Sequence, residues 1–242
     1  NTLDFDKNKF TFIAANFRYT KQYLKMHGIN QVDAILADLG VSSHQIDEPE
    51  RGFSTRFNAL LDMRMDQNTK KTAQQIINEY SAGELQQVFG LYGEVRNART
   101  LANAIISARV AKPIDQIDDL KAILSSYAQR GKENKYYAQV FQALRIEVND
   151  EMKALEEMLV QGAELLKPGG LFVIMSYHSL EDRLVKNFFA KGNFEGKVEQ
   201  DFYGNVIRPM EPATRKPVTA SMEEISQNPR ARSAKLRIAE KL

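Results

Sequence analysis

The chain has 242 residues, 43% of them hydrophobic, with 33 Lys or Arg against 31 Asp or Glu and a formal net charge of +2. That is enough for one large domain or two small ones with a real core. No apolar stretch approaches the length of a bilayer span, no signal-peptide pattern is visible, and the lack of cysteine excludes disulfides and thiolate chemistry, in keeping with a reducing cytoplasm.

In chain order, Phe10 to Ala14 (FTFIA) reads as a strand and Arg18 to His27 as a short helix. Val32 to Ala37 reads as a buried parallel strand, with Asp38 at its tip. Residues 38–67, DLGVSSHQIDEPERGFSTRFNALLDMRMDQ, are dense in polar groups yet carry Phe53, Phe57, Leu61 and Met63. A loop at the carboxyl end of a parallel strand is where open α/β sheets bind ligands. A long, ordered structural loop is the plainer alternative. From about 68 to 142 strand signals vanish. Helical patterns appear at Ala73–Tyr80, Gly83–Leu91, Glu94–Val110 and Ile117–Gln129, which suggests a helical subdomain inserted between strands.

Phe141, Leu144, Val148, Met152, Leu155, Leu159, Ala163 and Leu166 form one apolar stripe, so a single long helix is predicted, stopped by Lys167-Pro168-Gly169-Gly170. Leu171 to Met175 (LFVIM) is a fully apolar strand. His178 to Ala190 is a helix, with Ser179 as N-cap and Asp182 at the capping-box position. Near the end Ala234, Leu236 and Ile238 alternate with Lys235 and Arg237, a half-buried strand with its cations outward. The segment from Arg208 to Leu242 holds eight Lys or Arg against four Asp or Glu, so this tail is basic on a near-neutral body. Such a tail suits an anionic partner such as RNA, although solvated surface explains it equally. His27, His44 and His178 show no metal-ligand spacing, and no metal is expected.

DLGVSSHQ, PERGFS and LDMRMDQ resemble the bacterial 16S ribosomal RNA cytosine-N(4)-methyltransferase (RsmH, or MraW) family. The resemblance recurs in YGEVRNARTLANAI (92–105), FQALRIEVNDE (141–151), SYHSLEDRLVKNFF (176–189) and KPVTASMEEISQNPRARSAKLRIAEK (216–241). Five motifs in the same order cover nearly the whole chain, and LLKPGG before an apolar strand resembles class I methyltransferases more broadly. The resemblance implies an α/β, class I (Rossmann-like) methyltransferase with an inserted all-helical subdomain. Its parts would be a partial methyltransferase core at 1–45, the signature loop and inserted substrate-recognition helices at 46–142, and the rest of the core at 143–242.

One family feature is not found. The Gly-rich turn GGGGH does not occur, and NTLDFDKNKFTFI looks like the lead-in to the third strand. Roughly 60 residues, two strand–helix units, are therefore expected to precede this pattern in the family. Asp4 and Asp6 lie too close to the Phe10–Ala14 strand to serve as the ribose carboxylate. The chain alone is expected to bind the cofactor weakly or not at all.

The resemblance further implies S-adenosyl-L-methionine as cofactor, with Phe17, Asp38 and Gln45 at cofactor positions. Read from the residues alone, Phe17 is as easily core, Asp38 a turn cap, and Gln45 unassigned. Asp38, His178 and Ser179 are candidate catalytic residues, and Tyr177 a platform for a flipped base. For His178 and Ser179, a plain helix start is the alternative. Arg230, Arg232, Lys235 and Arg237 are candidate phosphate contacts, joined by Arg96, Arg99 and Arg109 of the helical segment. The implied substrate is a cytidine 4-amino group in the decoding region of 16S rRNA within the small ribosomal subunit, in the cytoplasm, with no membrane partner; a homodimer is compatible. Two other functions are weighed. One is an inactive RNA-binding or ribosome-assembly fragment, discriminated by the presence of a GGGGH segment upstream in the gene. The other is a dehydrogenase on a similar sheet, for which the pyrophosphate-binding turn is absent.

Overall fold

A computed structural model describes residues 10–242; Asp4 and Asp6 lie outside the described residues. In chain order the elements are α1 (Thr20–Met26), β1 (Val32–Asp38), α2 (Ser43–Asp47), α3 (Ala73–Glu79), α4 (Ala82–Gly93), α5 (Ala98–Ala111), α6 (Ile117–Ser125), α7 (Glu133–Asn149), α8 (Glu151–Leu165), β2 (Leu166–Ser176), α9 (Ser179–Lys191), β3 (Met210–Pro212), β4 (Val218–Thr219), α10 (Met222–Gln227) and β5 (Lys235–Lys241). They fall into two compact units, Asn1–Leu39 with Met152–Leu242, and Gly40–Glu151.

The first unit is α/β. Its sheet runs β1-β2-β5-β3, with β4 also on β5. β1 and β2 are parallel, with Leu36 opposite Val173 and Asp38 opposite Met175. β5 returns antiparallel to β2, with Val173 opposite Ile238. One sheet face is covered by α8 and α9. Leu155, Met158, Leu159 and Ala163 of α8, and Val185, Phe188 and Phe189 of α9, bury against Phe172, Ile174 and Ala239. The closest approach is at Gly162 of α8, where an added Cβ would lie 2.4 Å from Phe172 Cε1. Only a residue without a side chain lets this helix sit so near the strand.

Several sequence expectations are corrected here. Phe10 to Ala14 is not a strand: no strand ladder forms with it among the described residues, and Phe12 is 78% exposed. The single long helix is two. Asp150 adopts φ +52°, ending α7, and α8 restarts at Glu151. Asn149 fixes the break by donating to Met63 O at 2.7 Å, and Arg145 pairs with Glu151 across it at 2.8 Å. The stripe is therefore divided between two cores: Phe141, Leu144 and Val148 pack in the helical unit, while Leu155, Leu159 and Ala163 pack on the sheet.

The cap of α9 is His178, not Ser179, and its box partner is Glu181, not Asp182; an imidazole Nδ1 accepts a backbone N–H as a serine oxygen would. On β5 the facing is the reverse of the alternation read from the sequence. Arg237 and Lys235 share the α9 side with fully buried Ala239, and Arg237 is only 11% exposed. Arg230 and Arg232 are not on that strand but on a 3-10 turn, Pro229–Ser233.

The helical unit packs α3 to α7 around Ile76, Ile77, Phe89, Leu101, Ile105, Leu120 and Leu144. The signature loop belongs to it structurally. Arg51 donates to the carbonyls of Arg64 and Met65 at 2.8 and 3.0 Å, and Arg64 grips Asp62 at 2.7 Å. Leu61 and Met63 are fully buried. Gly52 turns at φ +72°, where a Cβ would strike Leu60 O at 2.5 Å. Most polar groups of PERGFS and LDMRMD are spent holding the loop's own shape.

Candidate active site

Parallel pairing puts the carboxyl ends of β1 and β2 at one sheet edge, where α/β folds place ligands. Asp38 ends β1. Tyr177 follows β2 and donates its hydroxyl to Asp38 Oδ1 at 2.8 Å. Burial, and then the hydrogen bond to a carboxylate, push the Tyr177 phenol up to about 12. It therefore stays protonated and acts as a fixed donor. Asp38 Oδ2 carries no hydrogen bond among the described residues and is open to a ligand donor.

Beside this pair lies a concavity of about 320 Å³, lined by Phe17, Thr20, Ile35, Asp38, Met158 and Gly162 among others. Phe17 sits on a 3-10 turn, 37% exposed, and Thr20 Oγ1 donates to its carbonyl at 2.5 Å. The turn is anchored by Arg18, which binds Glu157 of α8 at 2.7 and 2.9 Å. Nothing in the local sequence signals that pair, because its members are 139 residues apart. Phe17 and Asp38 thus converge on one cleft.

Tyr177 reaches the cleft through Asp38, whereas His178, Ser179, Lys235 and Arg237 are not among its lining residues. His178 turns inward: Nδ1 accepts the Glu181 backbone N–H at 3.4 Å, and buried Nε2 lies 3.2 Å from Glu181 Oε1 but out of line for a hydrogen bond. Its side chain is 9% exposed, so it is a helix cap in this state rather than a presented base. Ser179 is the first, exposed residue of α9. Gln45 lies in the helical unit, where its Oε1 accepts from Ser42 N at 3.0 Å as half of the α2 capping box. Lys235 and Arg237 are held by Asp182 at 3.1 and 2.7 Å. Burial pushes the Asp182 carboxyl up, but Arg237 and Lys235 outweigh it and hold it below the ordinary range. Arg230 and Arg232 are exposed on their turn.

The model of the MraW methylase family matches residues 1–242. The chain belongs to that family. Its relatives include proteins named ribosomal RNA small subunit methyltransferase H. That of Cytophaga hutchinsonii is 56% identical over all of this chain and 80% of its own length. That of Flavobacterium johnsoniae is 55% identical, and that of Phocaeicola vulgatus 53%, each over 97% of this chain and 77% of its own length. Family membership fits the Rossmann-like arrangement of the sheet unit. It also gives the cleft a meaning that bare geometry lacks, since a methylase must hold a methyl donor. A carboxylate oxygen open beside an apolar, aromatic-edged hollow suits a ligand that joins a cationic amine to a flat apolar ring. The residues present therefore fit that part of S-adenosylmethionine.

Proposed function

We propose that the natural protein catalyses transfer of a methyl group from S-adenosylmethionine to the 4-amino group of a cytidine in the decoding region of small-subunit ribosomal RNA. The observation that carries this reading is the Tyr177–Asp38 hydrogen bond at the mouth of the cleft, on the ends of two parallel strands. Family membership and the rRNA named by its relatives support the reaction type and substrate class.

When bound, the donor supplies an electrophilic sulfonium methyl. The remaining work falls to side chains. The cytosine amine is a poor nucleophile, because its lone pair is delocalised into the ring. Asp38 Oδ2 accepts one amine N–H, returning electron density to nitrogen, and takes the proton that nitrogen must lose as the new N–C bond replaces the S–C bond. Tyr177 fixes the carboxylate plane through Oδ1. Ile35, Ala37 and Met158 exclude water beneath the donor, and Phe17 offers an aromatic face. In an alternative orientation, Asp38 accepts from the donor's own ammonium group, with the same dependence on Tyr177.

The test is Asp38→Asn in the natural protein. Replacing a charged acceptor by an amide should reduce tritiated-methyl transfer to small ribosomal subunits by at least roughly tenfold, with the circular dichroism unchanged. Nucleoside digestion of the product should show N4-methylcytidine. Wild-type turnover at saturating donor and subunit would remove Asp38 from the site, and a different methylated nucleoside would replace the proposed target.

A further inference from the structure

The helical unit carries its own open groove of about 710 Å³, between α5 and the end of α6. Its lining includes Arg99, Thr100, Asn103, Ser126 and Tyr127. Asn97, the N-cap of α5, ties the corner of this groove together. Its Nδ2 donates to Tyr127 O at 3.4 Å, and its Oδ1 accepts from the Tyr136 hydroxyl at 3.1 Å. Three otherwise separate segments, the starts of α5 and α7 and the end of α6, therefore meet there.

Those segments bring five cations to one corner. Arg96 and Arg99 flank Asn97; Arg130, Lys132 and Lys135 lie between Tyr127 and Tyr136. All five are exposed, and none has an ion-pair partner among the described residues. Most other basic side chains of the unit are occupied, Arg56 and Lys70 being exceptions that lie elsewhere in the sequence. Arg109 donates to the carbonyls of Ile77 and Tyr80, Lys112 pairs with Asp119, and Lys121 reaches Thr55 O. Only Glu94 and Glu133 offset the corner, and Glu133 caps Gly131 N at 2.9 Å. Like charges left unpaired at one place repel and cost stability unless an anion joins them.

We infer that this corner and groove bind the phosphate backbone of a single-stranded stretch of the RNA substrate. Arg99 lines the groove itself and the other four cations lie on the segments that meet at its corner, so several phosphates of one strand could be met together. Tyr127 and the hydroxyl and amide groups of Thr100, Asn103 and Ser126 are disposed for ribose and base edges. The inference rests on the proposed rRNA substrate and assigns RNA gripping to the helical unit. The tail cations Lys235 and Arg237 are already committed to Asp182.

The test is fluorescence anisotropy of the intact chain with a labelled single-stranded RNA of about 20 nucleotides, longer than one such site. Affinity is followed across a salt series for wild type, for an Arg99→Gln, Arg130→Gln, Lys132→Gln variant, and for a charge-matched control, Lys25→Gln, Arg183→Gln, Lys186→Gln. Thermal melts check that each variant is folded. Three lost phosphate contacts should make the log–log salt slope shallower by about 2 and weaken binding roughly hundredfold at 0.1 M salt, while the control changes little. An unchanged slope in the groove variant, or an equal loss in the control, would overturn the groove and leave the methylation reading standing. No RNA binding by wild type at low salt would also overturn the groove, while the methylation reading is decided separately by methyl transfer to small subunits.

Discussion

Gly162 sets two opposing energies against each other, and their difference can be worked from the structure. In an α-helix interior, Gly→Ala ordinarily stabilises by about 1 kcal/mol, because glycine loses more backbone entropy on folding. At position 162 the new methyl would stand 2.4 and 2.5 Å from Phe172 Cε1 and Cζ and 3.3 Å from Ile35 Cδ1. Carbon atoms pack at about 3.5–4.0 Å, so α8 or the ring must move by roughly 1 Å. The ring has little freedom: Phe172 is fully buried and lies against Phe189 with centroids 5.6 Å apart. Overpacking costs about 1–3 kcal/mol, and two carbon contacts this short against a fixed ring place it at about 2–3, so Gly162→Ala should be net destabilising by about 1–2 kcal/mol. The control is Gly90→Ala in α4, where a Cβ meets nothing within 4 Å and the propensity gain should appear alone. Urea denaturation followed by far-ultraviolet circular dichroism measures both. If Gly162→Ala matches or exceeds wild-type stability while Gly90→Ala gains, the close packing of α8 on β2 is wrong, and with it the floor of the cleft.

Two further outcomes follow from the ionisable contacts. Tyr177→Phe removes the donor to Asp38 and should cost about 1 kcal/mol at neutral pH, discounted for partial exposure. The folded phenol titrates above the ordinary value of 10, near 12, so its contribution is complete below pH 10 and lost as pH rises towards 12. Ultraviolet titration of wild type against variant should show the missing phenol ionising late; a difference spectrum centred at pH 10 would break the Tyr177–Asp38 pair. For Asp182, the folded carboxyl lies below its ordinary value near 3.8, so its contribution is present above that pH and lost as pH falls below it. Asp182→Asn should cost about 1–3 kcal/mol at pH 7, because it leaves Arg237 largely buried without an anion. The penalty should shrink towards pH 3; an equal one at both pH values would mean that the carboxylate charge is idle.

Local pattern in the sequence was sufficient wherever neighbours along the chain decide the outcome. The LFVIM strand and the helical periodicities between 73 and 129 became the elements they signalled. The apolar run at Val32 to Ala37 became the parallel strand it signalled but not a buried one: β1 ends the sheet order among the described residues, none of its residues is buried and Leu36 is 74% exposed, because apolar run length reports strand tendency and not which neighbours cover it. The order of motifs was likewise enough to place the chain in its family. What the sequence did not hold was anything set by partners far along the chain. The stripe from Phe141 to Leu166 has one period, yet a left-handed Asp150 divides it between two cores. The β5 alternation reads correctly as a strand but not as to which side is covered, since α9 supplies both the lid and Asp182, the carboxylate that draws Arg237 inward. The loop of residues 38–67 looks functional by composition, although Arg51, Ser54, Asp62 and Arg64 spend their polar groups on the loop itself. Asp38 was legible as a candidate at the strand tip, but its partner Tyr177 is brought to it, across 139 residues, only by the parallel pairing of β1 and β2. Periodicity reports which residues want to be buried; only the folded chain decides what each buried or charged group will meet.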